Sequence, residues 1–391
     1  MPERMLRALD MTLTPDEQAL IAAAQDFATE VLRDAVSAWE ATGAVDHAVY
    51  RQAADLGLTA IELPVSLGGK GYSFVCKSRV CEALAAVDLG FALSIVNSHN
   101  AALRLAGKAS ATAVARFVPQ LLSGETMGCT ALTEPGAGSD LSAMTTRARK
   151  VEGGWRIDGA KSWITNAQFA STVIVFAQTG AARDAAGIGA FVIDANGAGV
   201  TRTDSANIRS LPSIGVGGFT FDDCFVPDDQ LVLQPGTAFK DTMAALNGAR
   251  IYVAAMCCGM VRAGLHRAAG FGATREVFGK TLAETQAWRL PLARASAELS
   301  AATSLVRQAE QVFAAGEDAQ RIAAEAKIFA TEMAARQIPI LTHAMGAGGL
   351  RAQEPFARHH IAARVAQLID GSTEMLLDRV SRFVARDGQT A

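Results

Sequence analysis

The sequence predicts an α+β protein in three parts: a helical amino-terminal domain, a middle antiparallel β domain and a carboxy-terminal helical bundle. Three observations predict it. Apolar residues recur at helical spacing up to about Thr130, give way to short Val-, Ile-, Phe- and Thr-rich runs from Gly153 to Val226, and return to helical spacing beyond Thr237. These changes place the domains at residues 1–128, 129–236 and 237–391. A length of 391 residues suits two or three folded units, and a composition half hydrophobic but only 6% aromatic suits a helix-rich core.

In the first domain, Thr14 followed by Glu17 reads as a capping box, and Ile21, Ala24, Phe27, Ala28 and Val31 follow as one helical face. Leu63 to Gly71 is a turn-rich break. In the second, Trp155, Ile157, Thr172–Phe176, Gly189–Ile193, Val200–Thr203 and Gly218–Phe221 are strand candidates punctuated by Gly, Asp and Asn. In the third, Ile322, Ala326, Phe329 and Met333 form an apolar stripe with Asp318 as its N-cap, and Pro339 is expected to kink or stop that helix.

Composition narrows the function classes. Net charge is -3 with both signs interspersed, so nothing points to nucleic acid or to a membrane surface. Glu3, Arg4, Arg7 and Asp10 interrupt the first ten residues, which do not read as a secretory signal. No run of about 20 uninterrupted apolar residues predicts a transmembrane helix. The six cysteines form no C-x-x-C pair and read as buried free thiols of a reducing, cytoplasmic setting. The pair His359–His360 is a poor metal site, because helix neighbours point in different directions, and reads as a solvated helix face; no metal site is expected.

Four segments carry chemistry. Cys129 to Leu141 (C-T-A-L-T-E-P-G-A-G-S-D-L) joins the first two domains; its glycines permit close approach of backbone to a ligand, and Thr133 and Ser139 add hydroxyls. Gly159 to Ala167 (G-A-K-S-W-I-T-N-A) sets Trp163 and Thr165 two apart, on one face if the segment is a strand, where an indole can cover a planar ring. Arg275 to Gln286 (R-E-V-F-G-K-T-L-A-E-T-Q) reads as a helix end and a turn, with Arg275 suited to a phosphate. Gly346–Gly349 (G-A-G-G) and Ile369–Met375 (I-D-G-S-T-E-M) close the set: Ser372 or Thr373 can cap the last helix, and Asp370 stands before that turn. Taken singly, each segment is more often a turn, a core tryptophan or a cap than a site.

In this order and at these separations the four segments resemble the acyl-CoA dehydrogenase family, from the L-G-L-x-x-I-x-L-P stretch near Leu56 to Arg382. The resemblance implies a four-helix carboxy-terminal domain, a homotetramer and FAD as cofactor. It implies FAD contacts from Thr130, Leu132, Thr133, Gly138 and Ser139, with Trp163 and Thr165 flanking the ring system. Arg275, Phe278, Gln286, His343, Gly346 and Ala347 would reach the FAD of a neighbouring subunit, and Ser372 and Glu374 would close over the cofactor. Ser139, Asn247, Arg250 and Gly371 would lie near the substrate, an acyl-CoA or acyl-carrier-protein thioester. The implied reaction is α,β-dehydrogenation: Asp370 takes the α-proton while the β-hydrogen leaves as hydride to flavin N5. Electron-transferring flavoprotein is the implied acceptor.

Several positions depart from the family pattern. The usual base is Glu in an E-G-T turn, where this chain has Asp370 in D-G-S. The alternative helix position for a Glu is Ala249, the usual Gln before the glycine loop is His343, and the second glycine is Ala347. The usual Arg-Asp pair ahead of the base is Ile361–Ala362. Ala92 stands where members acting on dicarboxylic thioesters carry an Arg, which argues against a glutaryl-type substrate. Two other readings stay open at this level: diverted chemistry of the monooxygenase or elimination type, whose members lose the carboxylate, and a non-catalytic subunit.

Overall fold

The computed structural model describes residues 13–180, 184–204, 208 and 210–390. The Met1–Asp10 segment lies outside them. The chain opens with helices α1 (Pro15–Phe27), α2 (Arg33–Thr42), α3 (Ala48–Asp55), α4 (Phe74–Ala85), α5 (Leu89–Lys108) and α6 (Ala111–Leu122). The capping box at Thr14 forms: Glu17 N donates to Thr14 Oγ1 at 3.3 Å and Thr14 N donates to Glu17 Oε2 at 2.8 Å. Helix ends at Leu122, short of Thr130, which lies in the first strand.

Strands β1 (Met127–Ala131), β2 (Arg147–Val151), β3 (Gly154–Ile164), β4 (Ala170–Gln178), β5 (Ile188–Asp194), β6 (Val200–Asp204), β7 (Gly217–Pro227) and β8 (Leu231–Leu233) form one sheet. Its order is β6-β7-β3-β2-β4-β5-β8, with β1 added beside β4. Most pairings are antiparallel, as expected, but β1 runs parallel to β4, as does the single contact of β2 with β4, so the sheet is mixed. A strand that enters directly from a helix and pairs mid-sheet escapes the hairpin logic that dictates antiparallel neighbours. Ile174, Phe176, Ile188 and Val192 face a core shared with α5 and α6. Val173, Val175, Phe191 and Ile193 face a second core on the other side. Burial on both faces explains why β4 reads as an unbroken apolar run.

The carboxy-terminal bundle comprises α7 (Ala238–Thr274), α8 (Gln286–Ala314), α9 (Gln320–Ala344), the short α10 (Phe356–Leu368) and α11 (Thr373–Thr390). A small hairpin, β9 (Glu276–Val277) and β10 (Lys280–Thr281), joins α7 to α8. Helix α7 packs on α4, α8 and α9, so the bundle and the amino-terminal helices share one core. By length and hydropathy α7 would suffice to cross a membrane, but 83% of its most apolar window is buried inside the protein. Pro339 does not stop α9, which runs on to Ala344. Asp318 caps the helix from one residue further out than expected: its Oδ1 accepts from Gln320 N at 3.0 Å, and Ala319 is the boundary residue. His359 corrects the solvated-face reading: it is fully buried while His360 is exposed, since neighbours about 100° apart on a helix divide between core and solvent. All six cysteines are buried and free.

Candidate active site

The Thr133–Ser139 loop and the Lys161–Asn166 turn are welded together. Thr133 Oγ1 donates to Ser162 O at 2.6 Å, and Ser162 N donates to Thr133 O at 3.1 Å. Beneath them Lys161 Nζ donates to Glu134 Oε1 at 2.9 Å and to Leu132 O at 3.0 Å. Glu134 also accepts from Thr145 N, Thr145 Oγ1 and Thr146 N. Burial works against its ionisation, but the Lys161 ammonium and these donors bring its pKa down to about 2. Asn166 is buried and its amide donates to Ser94 O and Gly128 O, tying the turn to α5 and β1.

Trp163 and Thr165 do not share a strand face. Trp163 has φ +59°, at an irregularity where the β3–β7 register shifts between Lys161 and Ile164, and Thr165 falls in the turn beyond the strand. A left-handed residue breaks the two-residue alternation on which the spacing argument relied. The bulge instead turns the indole outward, leaving Trp163 63% exposed. Gly138 and Ser139 are exposed, Thr130, Leu132, Thr133 and Thr165 are half-buried, and a side chain at Gly138 would meet open space. Among the described residues the buried Ser162 Oγ has no partner. An outward indole, a glycine loop with free space beside it and an unspent hydroxyl fit a planar, polar ring ligand such as a flavin.

A second group forms around the Asp370 turn. Asp370 (φ +53°) and Gly371 (φ +97°) are both left-handed, a conformation that glycine adopts freely and Asp tolerates. From α7 the buried Arg250 donates through Nε to Asp370 O at 3.0 Å and through Nη1 to Asn247 Oδ1 at 2.7 Å. From α9 the buried Lys327 donates through Nζ to Gly371 O at 2.7 Å. The Asp370 carboxylate itself has no hydrogen-bond or ion-pair partner among the described residues. Burial pushes its pKa up, against the opposing charges of Lys327 and Arg250. Ser372 Oγ accepts from Met375 N at 3.4 Å and caps α11, while Glu374 is exposed in its first turn. Tyr252, on α7, is buried, and both burial and the Asp370 charge raise its pKa.

The remaining residues present an outward surface at one end of the bundle. Arg275, Gln286, His343, Gly346 and Ala347 are exposed or half-buried, and Phe278, at φ +53° on the hairpin tip, is 100% exposed. Trp288 Nε1 donates to Ala344 O at 2.8 Å, pinning the start of α8 to the end of α9 and so fixing this surface. A fully exposed Phe on this hairpin faces away from the chain's own core. Sequence reasoning missed Glu134, Lys161, Asn166, Tyr252 and Lys327. The first three sit inside the segments already singled out; a lysine within the apolar pattern of α9 was the one signal for Lys327.

The comparisons with known proteins agree over most of the chain. Models of the acyl-CoA dehydrogenase amino-terminal, middle and carboxy-terminal domains match residues 14–125, 129–224 and 237–385. Benzylmalonyl-CoA dehydrogenase of Aromatoleum aromaticum is 31% identical over 94% of this chain and 97% of its own length. The human mitochondrial short-chain specific acyl-CoA dehydrogenase is 29% identical over 93% of this chain and 88% of its own length. The structure of butyryl-CoA dehydrogenase from Megasphaera elsdenii superposes with a TM-score of 0.90 at 28% identity, covering 95% of this chain and 99% of that one.

Proposed function

The chain belongs to the acyl-CoA dehydrogenase family, and on that premise we propose that it removes two hydrogens across the Cα–Cβ bond of an acyl thioester, with Asp370 as the α-proton base. One observation carries the assignment: Asp370 is the carboxylate whose two flanking cations are spent on backbone carbonyls, which leaves its own oxygens uncommitted.

FAD is the cofactor, and when bound it supplies a hydride acceptor at N5. The residues of this chain do the rest. The Thr133–Ser139 loop, Trp163 and Thr165 orient the ring system. The left-handed turn directs the half-buried Asp370 carboxylate, and its desolvation raises its pKa toward the working range. Backbone amides of the same turn suit the thioester oxygen, where charge builds as the proton leaves. The surface of Arg275, Phe278, Gln286 and the Gly346 loop serves the FAD of a second subunit in a homotetramer, which gives the exposed Phe278 a partner. Acyl-CoA or acyl-carrier protein presents the substrate, and electron-transferring flavoprotein takes the electrons. Asp is one methylene shorter than Glu, a loss of reach of up to about 1.5 Å, and a misplacement of about 1 Å can cost on the order of 100-fold in rate. The substrate therefore sits closer to the turn than a Glu would require.

Anaerobic flavin bleaching across a panel of acyl-CoA and acyl-carrier-protein thioesters tests the proposal. The wild type should bleach with its true substrate, and Asp370→Asn should bind the same thioester with its flavin left oxidised. Bleaching at the wild-type rate in Asp370→Asn would remove Asp370 as the base.

A further inference from the structure

Lys327 lies outside the four segments that carry chemistry in the sequence. It is fully buried midway along α9, on a face with Ala323, Ala324, Ala330, Thr331 and Ala334. A lysine there is costly unless its charge is used. Its Nζ lies 2.7 Å from the Gly371 carbonyl oxygen, and the neighbouring Asp370 carbonyl accepts from Arg250 Nε at 3.0 Å. Two successive carbonyls of one left-handed turn are thus each held by a buried cation. An ammonium placed to neutralise Asp370 would contact the carboxylate; this one holds the backbone beside it.

We propose that Lys327 is a positioning residue for proton transfer: through the Gly371 carbonyl it pins the turn that aims Asp370 and sets its positive charge beside that turn. The inference rests on the assignment of Asp370 as base. The charged and titratable groups facing Lys327 are Asp370 from the turn, Arg250 and Cys257 from α7, and Glu374 from α11. Burial lowers the Lys327 pKa, Asp370 opposes that, and the result is about 8. Of the charges that pull the Asp370 pKa back down against burial, Lys327 is the larger and Arg250 the smaller. The sign follows. Removing the Lys327 charge leaves burial less opposed, so Asp370 ionises at higher pH and the acid limb of the reaction moves up. Above about pH 8 the wild-type ammonium loses its own proton, and the charge difference between wild type and a neutral variant fades.

The test uses the FAD-loaded enzyme and two readouts. The first is infrared titration of the Asp370 carboxylic acid band, identified by its loss in Asp370→Asn. The second is anaerobic flavin bleaching against pH, with the saturating rate separated from thioester affinity. Lys327→Gln removes the charge and retains a neutral donor, one bond shorter, on the Gly371 side of α9. It should raise the infrared midpoint by about one to three pH units. Below both midpoints the saturating bleaching rate should fall about tenfold for each pH unit by which the midpoint rises, with thioester affinity unchanged. Lys327→Arg should leave the midpoint near wild type. Lys327→Met, uncharged and of similar length, is the second neutral variant should Lys327→Gln fail to hold FAD. A wild-type infrared midpoint in either neutral variant that retains FAD overturns the proposal and leaves Lys327 as packing. Normal bleaching by Asp370→Asn would instead remove the base assignment and with it the role of Lys327 in proton transfer, an outcome distinct from an unshifted infrared midpoint, which reads the effect of Lys327 on Asp370 independently of turnover.

Discussion

The Glu134–Lys161 and Asp370–Lys327 neighbourhoods are built from the same kinds of residue and end in opposite states. In the first, Lys161 meets the carboxylate directly at 2.9 Å and the Thr145 and Thr146 donors fill the remaining lone pairs. In the second, Lys327 and Arg250 meet backbone carbonyls and the carboxylate is left without a partner among the described residues. The lysine pKa comes to about 8 in both, so burial acts alike on the two cations. The carboxylates part: Glu134 is brought down to about 2, whereas Asp370 is pushed up. A buried carboxylate whose lone pairs are all spent is a fastener. A half-buried one whose nearby cations are occupied elsewhere keeps a proton affinity that chemistry can use.

The largest expected effect lies on the fastener. Glu134→Ala leaves Lys161 buried and uncompensated, a change of the kind that costs about 3–5 kcal/mol, read as a lower guanidinium midpoint together with loss of bound FAD. The same pair fixes a pH dependence. The folded pKa of Glu134 lies near 2, below its ordinary 4.5, so its contribution is complete above about pH 4.5 and is lost as pH falls toward 2. Glu134→Ala should flatten that part of the stability profile. Wild-type stability and acid response in the variant would break the comparison at its first term.

A middle-sized effect belongs to the turn. A Cβ at Gly371 would stand 3.4 Å from Leu376 Cδ2 and 3.7 Å from Arg250 Nη2, so there is room, but φ +97° is strained for any L side chain. Gly371→Ala should cost on the order of 1–3 kcal/mol if the turn keeps its shape. If the turn relaxes instead, stability recovers and the saturating bleaching rate falls. Neither change would mean that the left-handed turn is not what aims Asp370.

The smallest effect is expected at Trp163. Trp163→Ala should weaken FAD binding by about 1 kcal/mol, measured as the dissociation constant of the flavin, with folding stability of the FAD-free chain nearly unchanged because the indole is 63% exposed. Unchanged flavin affinity would take Trp163 off the binding face.

Much of the molecule is legible in one dimension. The capping box at Thr14, the switch of apolar period and the paired T-E-P-G-A-G-S-D and K-S-W-I-T-N-A segments are short-range patterns, and short-range forces decide them. Asp370 stands out by its place in such a pattern. What one dimension misplaces depends on neighbours distant in sequence. Alternation puts Trp163 and Thr165 on one strand face because it assumes a regular strand, and the bulge against β7 removes that assumption. Composition alone reads His359 as solvated, because histidine is more often exposed than buried, but packing of α10 buries it. Pro339 signals a helix stop, yet α9 is held by α7, α8, α10 and α11 and continues through it.

The sequence by itself determined the three-part order, the helical and strand segments and which carboxylate would stand in the D-G-S turn, because period, caps and turn residues act over a few positions. Only the tertiary structure decided what that carboxylate and its counterpart Glu134 became. Lys327 reaches Gly371 across 44 residues of chain and Arg250 reaches Asp370 across 120, and whether a buried cation meets a carboxylate or the carbonyl beside it is a difference of a few ångströms that no local pattern encodes.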